Sequence, residues 1–263
     1  MNYKSKNDIV RSTIAAATVF AAAGAASAQV IYNNGGADTA PGIITGLGVG
    51  PLSGNNVSQA TTALNNGGLT VTGNFRVADD FTIAASTNVT RVGVFAYITG
   101  TYSDPSVSPF TGISMNIWNA APGSMGASIV ASSSIMVGTS FTSITRHFDG
   151  AAALTDARRP VMEVIAQFSG EELAAGTYWI DYGLTGQLGA STNAFTPYVM
   201  EGLDASRQAV LGNAMQLNAG VWATTAVGSS LQAVEVPFYV VPTPSAAALL
   251  GLGGLAAMRR RRA

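Results

Sequence analysis

From Leu69 onward the chain is written in a period of two and almost nowhere in the period of 3.6 that an amphipathic helix needs. Leu69 to Thr72, Phe75 to Val77 and Phe81 to Ile83 alternate in polarity, and Asn88 to Thr99 is rich in β-branched and aromatic residues. In Gly112 to Asn119 the residues Ile113, Met115 and Ile117 share one face, as in a half-buried strand. Ser128 to Val137 and Phe141 to Phe148 read as two more strands, with Asn119 to Ser124 as a turn before them. Val161 to Phe168, Thr177 to Gly183, Ala214 to Leu217, Val221 to Thr225 and Glu235 to Val241 continue the series. Helical signals are few: one helical turn fits Ser169 to Gly176, whose carboxylates precede a closing glycine, and Asp204 to Leu211 is a weaker second. Neither reaches the length of a crossover helix, which excludes a parallel βαβ architecture. The expected fold is all-β, an antiparallel β-sandwich of jelly-roll type. No repeat of fixed period points to a propeller or β-helix.

Charge narrows the function classes. Between residues 29 and 241 there are six arginines and no lysine against thirteen carboxylates, a net charge of −7. Nucleic-acid binding needs clustered Lys and Arg and is excluded as a partner class. The absence of cysteine removes disulfides, thiolate metal sites and a cysteine nucleophile. Residues 29–68 carry the Asn33 to Gly36 and Asn65 to Gly68 clusters and read as loop-rich turn chemistry, with Val30 to Tyr32 as a first strand.

The two ends read as addresses. Lys4, Lys6 and Arg11 make a basic n-region, Thr13 to Ala26 an apolar h-region, and Ala26-Ser27-Ala28 a small-residue cleavage site before Gln29. Residues 1–28 are therefore expected to be a signal peptide removed by signal peptidase, 29–240 a β-sandwich ectodomain, and 241–263 a sorting or anchor segment. The run Ser245 to Met258 would make a transmembrane helix of about 21 Å at about 1.5 Å per residue. That is short against a hydrocarbon core of about 30 Å, so a span needs Phe238 to Val241 or snorkelling arginines. Arg259, Arg260, Arg261 and Arg262 would stay cytoplasmic by the positive-inside rule, leaving the body outside.

Pro242-Thr243-Pro244, the Ala/Leu/Gly run and the four terminal arginines resemble the PEP-CTERM sorting signal of exported bacterial proteins. The two prolines match the family's prolines, and Thr243 stands where the family has a central Glu. The resemblance implies an exosortase-like enzyme as partner, in variant form to take threonine, and a link to exopolysaccharide and biofilm. An ordinary C-terminal membrane anchor is the alternative on the same physics. Phe75 to Phe81, Ala174 to Ile180 and Gly212 to Gln216 resemble segments of uncharacterised β-sandwich ectodomains carrying such tails.

Candidate chemistry in the body is sparse. His147 is the only histidine, and no Gly-x-Ser-x-Gly elbow accompanies it, so a surface or loop-edge role is favoured over a triad. Asp79-Asp80, completed by Asp149, Asp181 or Asp104, is a candidate Ca²⁺ site; neighbouring strand side chains point to opposite faces, which favours a strand-edge role and no metal. Glu163 and Asp181 are the first pair to test for glycosidase work. Trp118, Trp179, Trp222, Tyr97 and Tyr182 would form a sugar-stacking platform if exposed together, and core packing is the commoner use of such residues. Asn56-Val-Ser58 and Asn88-Val-Thr90 match glycosylation sequons, which say little in a bacterial chain. The reading is a non-enzymatic structural or adhesive protein without cofactor, exported to the cell envelope or extracellular matrix. A carbohydrate-binding ectodomain for extracellular polysaccharide is the alternative, and a secreted hydrolase the third.

Overall fold

A computed structural model describes residues 32–33, 56–60, 68–98, 102, 104–148, 159–187, 197–199, 211–225 and 233–243, with only the backbone at 32–33, 56–60 and 147–148. The readings of residues 1–28 as a signal peptide, of Asp204 to Leu211 as a helical turn and of Pro244 onward as a sorting and anchor segment fall almost wholly outside these; only Leu211 is described, as a bridge partner of Val234.

The described residues are all-β and contain no helix. Six strands form one sheet in the order β13-β12-β4-β10-β6-β7: β4 Arg76–Ile83, β6 Phe110–Trp118, β7 Ile129–Ser133, β10 Gly176–Gly186, β12 Met215–Asn218 and β13 Val221–Thr224. The other sheet runs β1-β14-β5-β9-β8-β2: β1 Tyr32–Asn33, β2 Asn56–Ala60, β5 Thr87–Ile98, β8 Ile135–Phe148, β9 Pro160–Leu173 and β14 Phe238–Pro242. Two short strands complete it, β11 Pro197–Val199 on β5 and β3 Leu69–Thr70 on β11. β14 takes in Val241 and Pro242 of the tail segment, and Pro242 is buried opposite Val89.

Both sheets turn one face to a common core, because inward residues alternate along β4, β6, β9 and β10. Val77, Phe81 and Ile83 of β4, Ile113, Met115 and Ile117 of β6, and Ile180, Tyr182 and Leu184 of β10 meet Val92, Val94, Ala96, Met162, Val164, Phe168, Phe238 and Val240 of the facing sheet. β5 departs from simple alternation. Val92 to Ile98 is buried on both faces, and Phe95 and Tyr97 join Ile144 and Val161 in a second apolar cluster on the outer side. Gly93 makes room there for the ring of Tyr239, whose Cζ would lie 2.2 Å from a Cβ at that position.

Four expectations are corrected. Ser169 to Gly176 is no helical turn: β9 continues through it to Leu173, Glu171 pairs with Val89, and Glu172 accepts a hydrogen bond from Ser86 Oγ at 2.9 Å. The expected closing glycine, Gly176, begins β10, and Gly170 adopts φ 95° where the register with β5 slips, so that residue serves a β-bulge. Ser128 to Val137 is not one strand, since β7 and β8 belong to different sheets and the chain crosses between them at Ser134. Phe141 to Phe148 is then the second half of β8. Finally, β2 pairs with β8 in parallel, from Asn56 opposite Ile144 to Ala60 opposite Phe148, whereas the other strand pairings among the described residues are antiparallel.

The hairpin joining β12 to β13 turns on Ala219 and Gly220, with φ 50° and 83°. Two positive φ angles define the type I′ turn, which Asn-Gly fits best. Alanine pays a Cβ clash in that conformation, and its side chain is exposed. Ala219→Asn is expected to raise the unfolding free energy by about 0.5–1 kcal/mol, read as a higher urea midpoint at unchanged m-value.

Candidate functional site

The richest polar constellation lies on the outer face of the six-stranded sheet. Register places it: Ala78, Asp181, Asn116 and Ser132 lie across β4, β10, β6 and β7 in one row, and Asp80, Trp179 and Trp118 in the next. Asp181 is fully buried and accepts at Oδ1 from Arg76 Nε and at Oδ2 from Trp118 Nε1 and, at 2.9 Å, from Asn116 Nδ2. Arg76 reaches on across β10, donating from Nη1 to Ser114 Oγ at 2.7 Å and from Nη2 to the Ser114 carbonyl at 3.1 Å. Gly183 permits that reach, since a Cβ on it would lie 3.2 Å from Arg76 Nη1. Asn116 in turn accepts from Ser132 Oγ at 2.8 Å.

A loop covers this face. Asn119 closes it by pairing with Ser128, its Oδ1 accepting from the Ser128 N–H at 2.8 Å and its own N–H donating to the Ser128 carbonyl at 3.1 Å. Gly123 and Gly126, both at φ 82°, give the sharp turns inside. A Cβ on Gly123 would stand 3.3 Å from Trp222 Cβ, so a loop rooted between β6 and β7 reaches β13 at the far border of the sheet. Ala78 and Asp181 are fully buried beneath it although they face away from the main core.

All three tryptophans of the chain therefore share one face, which sequence spacing alone did not reveal. They are not an open platform: Trp179 is buried, and Trp118 is tied to Asp181. The other two platform candidates are elsewhere. Tyr182 fills the main core, and Tyr97 lies on the outer side of the eight-stranded sheet, stacked on Tyr198 at 6.0 Å between ring centroids.

The carboxylates are dispersed. Glu163 sits on the outer side of the eight-stranded sheet, accepting from Tyr239 Oη at 2.7 Å and Ser140 Oγ at 3.0 Å. Asp181 faces outward from the other sheet, so the two cannot flank one sugar, and the glycosidase pairing is withdrawn. The Ca²⁺ candidates are separated as well. Asp79 points into the core from β4, Asp80 lies on the opposite face, and Asp104 sits in an exposed turn where Ser106 donates its N–H at 2.9 Å and its Oγ–H at 2.6 Å. Those bonds hold Asp104 below the usual carboxylate range. Among the described residues no three His, Cys, Asp or Glu form a group able to hold a metal ion. His147 pairs with Gln59 within the β8·β2 ladder, while Asp149 lies outside the described residues.

Asp79 is the functional-looking residue that the sequence places in a turn or at a strand edge and the fold buries. Its Oδ2 accepts from the Val236 N–H at 2.7 Å and its Oδ1 from the Asp80 N–H at 2.8 Å, so it fastens the segment before β14 to β4. Burial, then the nearby charge of Glu235, raises its pKa well above the ordinary 3.8, against the pull of those two backbone bonds. A raised acid binds its proton more tightly in the folded chain, so it contributes stability below the unfolded value of 3.8 that is lost as pH rises through the folded pKa. The urea midpoint is expected to fall across that window, and Asp79→Asn should flatten the fall; an unchanged slope in the variant would remove the assignment.

A comparison with protein-family profiles, with curated proteins and with solved structures finds no match to this chain.

Proposed function

We propose that the chain is an exported structural or adhesive protein of the cell envelope or extracellular matrix, with no catalytic site in its body. The observation that carries this reading is the outer-face network. The buried carboxylate Asp181 that a binding or catalytic cleft would draw on is joined to Trp118, Arg76 and Asn116, Trp222 meets the covering loop at Gly123, and Trp179 is buried. Side chains so engaged make a rigid scaffold. The jelly-roll type of the sandwich belongs to the same proposal; the run β4-β10-β6-β7 and the repeated passage of the chain between sheets support it, with β9 as an added strand between β5 and β8. Export rests on the cleavage site Ala26, Ala28 and Gln29, and sorting on Pro242, Thr243, Pro244 and the arginines Arg259 to Arg262.

Intact-mass measurement of the protein from its native host tests the address. The expected mass begins at Gln29 and lacks the tail beyond the Pro242 to Pro244 motif. Replacing Arg259 to Arg262 by glutamine should block that processing; unchanged processing and surface display would sink the sorting reading. Carbohydrate binding is the second reading, favoured by the half-buried Trp118 and Trp222 on one face. Pull-down with matrix polysaccharide separates the two, because a scaffold leaves the polysaccharide in the supernatant.

A further inference from the structure

The stretch Ile129–Ser143 borders both sheets. β7 is the last strand of its sheet, and β2 joins β8 only from Ile144 onward, so among the described residues this border has no neighbour on its outer side. At the crossing, Ser133 Oγ accepts from the Ile135 N–H at 3.1 Å and donates to the Gln167 carbonyl, fixing β7 and β8 end to end. An unpaired border turns backbone N–H and C=O groups outward and is a template for one more strand.

Proteins guard such borders with lysine, proline or inward charge. None is present here: no charged residue lies between Asp104 and Arg146, and no proline between Pro122 and Pro160. The exposed side chains are apolar instead, Ile129 at 48%, Val130 at 44%, Ile135 at 57% and Val137 at 43%. Bulges at Val130 and Val137, and a further register slip after Phe141 where Ser143 adopts φ 62°, interrupt the border and leave Ala131 to Ser133 and Gly138 to Phe141 in regular register. Interrupted borders limit how far pairing spreads, which suits a closed pair better than a growing stack.

Electrostatics selects the occupant. Two copies of a body carrying −7 between residues 29 and 241 repel each other, and the charge-free border is where that repulsion is weakest. The border is also its own complement, since antiparallel strands pair about a two-fold axis. We propose that Ile129–Ser143 pairs antiparallel with the same stretch of a second copy of this chain. The inference concerns the folded body and does not depend on how the chain is sorted.

Sedimentation equilibrium of the full chain in density-matched detergent should show the mass rising with concentration from 26.7 kDa to a plateau at twice that value. Hydrogen exchange should be roughly tenfold slower at the Ile129–Ser143 amides in the concentrated sample than in the dilute one. Ile135→Lys with Val137→Lys should hold the chain at the single mass with unchanged circular dichroism, while Val221→Lys, at the opposite border, should still double. A single mass at every concentration overturns the proposal, as does a doubling that the two lysines leave intact. Growth past twice the mass excludes the closed pair. Amides equally protected at all concentrations mean that the chain covers its own border, which also overturns it. Should the lysine variant fail to fold, exchange on the unaltered chain decides.

Discussion

Asp181→Ala should lower the unfolding free energy by about 3–5 kcal/mol, the cost of removing one partner from a buried ion pair. The loss is large because three donors converge on this carboxylate. Arg76 Nε, Trp118 Nε1 and Asn116 Nδ2 would all face an alanine under the Asn119 to Ser128 loop, where water cannot replace the lost acceptor freely. The Arg76 side chain is 21% exposed, so partial rehydration of the guanidinium sets the result toward the lower end. Urea unfolding of the single variants and of the pair with Arg76→Met gives the coupling directly. The double variant should cost less than Asp181→Ala alone, because it leaves no unpaired charge. A loss under about 1 kcal/mol in the single variant would show that the network contributes as little as a surface pair.

Phe238→Ala should cost about 3–5 kcal/mol through the lost transfer energy of the ring and the cavity it leaves. Phe238 is fully buried in β14 and meets Phe81 of the facing sheet edge-on, with ring centroids 6.1 Å apart. It therefore joins the two sheets where the segment fastened by Asp79 enters its last strand. Phe238→Leu keeps most of the volume and should cost only about 1 kcal/mol. Thermal unfolding of both variants tests the ordering. Equal losses would mean that the site collapses around any substituent and that the edge-on contact adds nothing.

Most strands were legible because inward and outward residues alternate with a parity that needs no tertiary knowledge. Ile113, Met115 and Ile117 of β6 are all core residues, as their spacing predicts. The pattern misled where bulges shift that parity. Val137 lies where the β8·β9 register slips, and the sheet crossing at Ser134 is marked only by the serines Ser132 to Ser134, with no glycine or proline to break the run of strand-forming residues around it. Ser169 to Gly176 misled because carboxylates before a closing glycine suit a helical turn, whereas Gly176 begins β10 and the positive-φ glycine of the stretch, Gly170, serves a bulge. Of the candidate site, residue types are readable and their meeting is not: spacing groups Trp118 and Trp179 as aromatics but does not join them to Asp181, gives Arg76 no role, and reads the covering loop at Asn119 to Ser124 as a simple turn.

By itself, then, the sequence determined an all-β body of low charge with no thiol chemistry, because composition and side-chain parity are local properties. Only the tertiary structure decided which sheet each strand joins, that Asp79 is buried and that Asp181 is sealed beneath a loop. The reason is separation along the chain. Asp181 is 105 residues from Arg76 and 63 from Trp118, and strand register alone brings such residues within hydrogen-bonding reach.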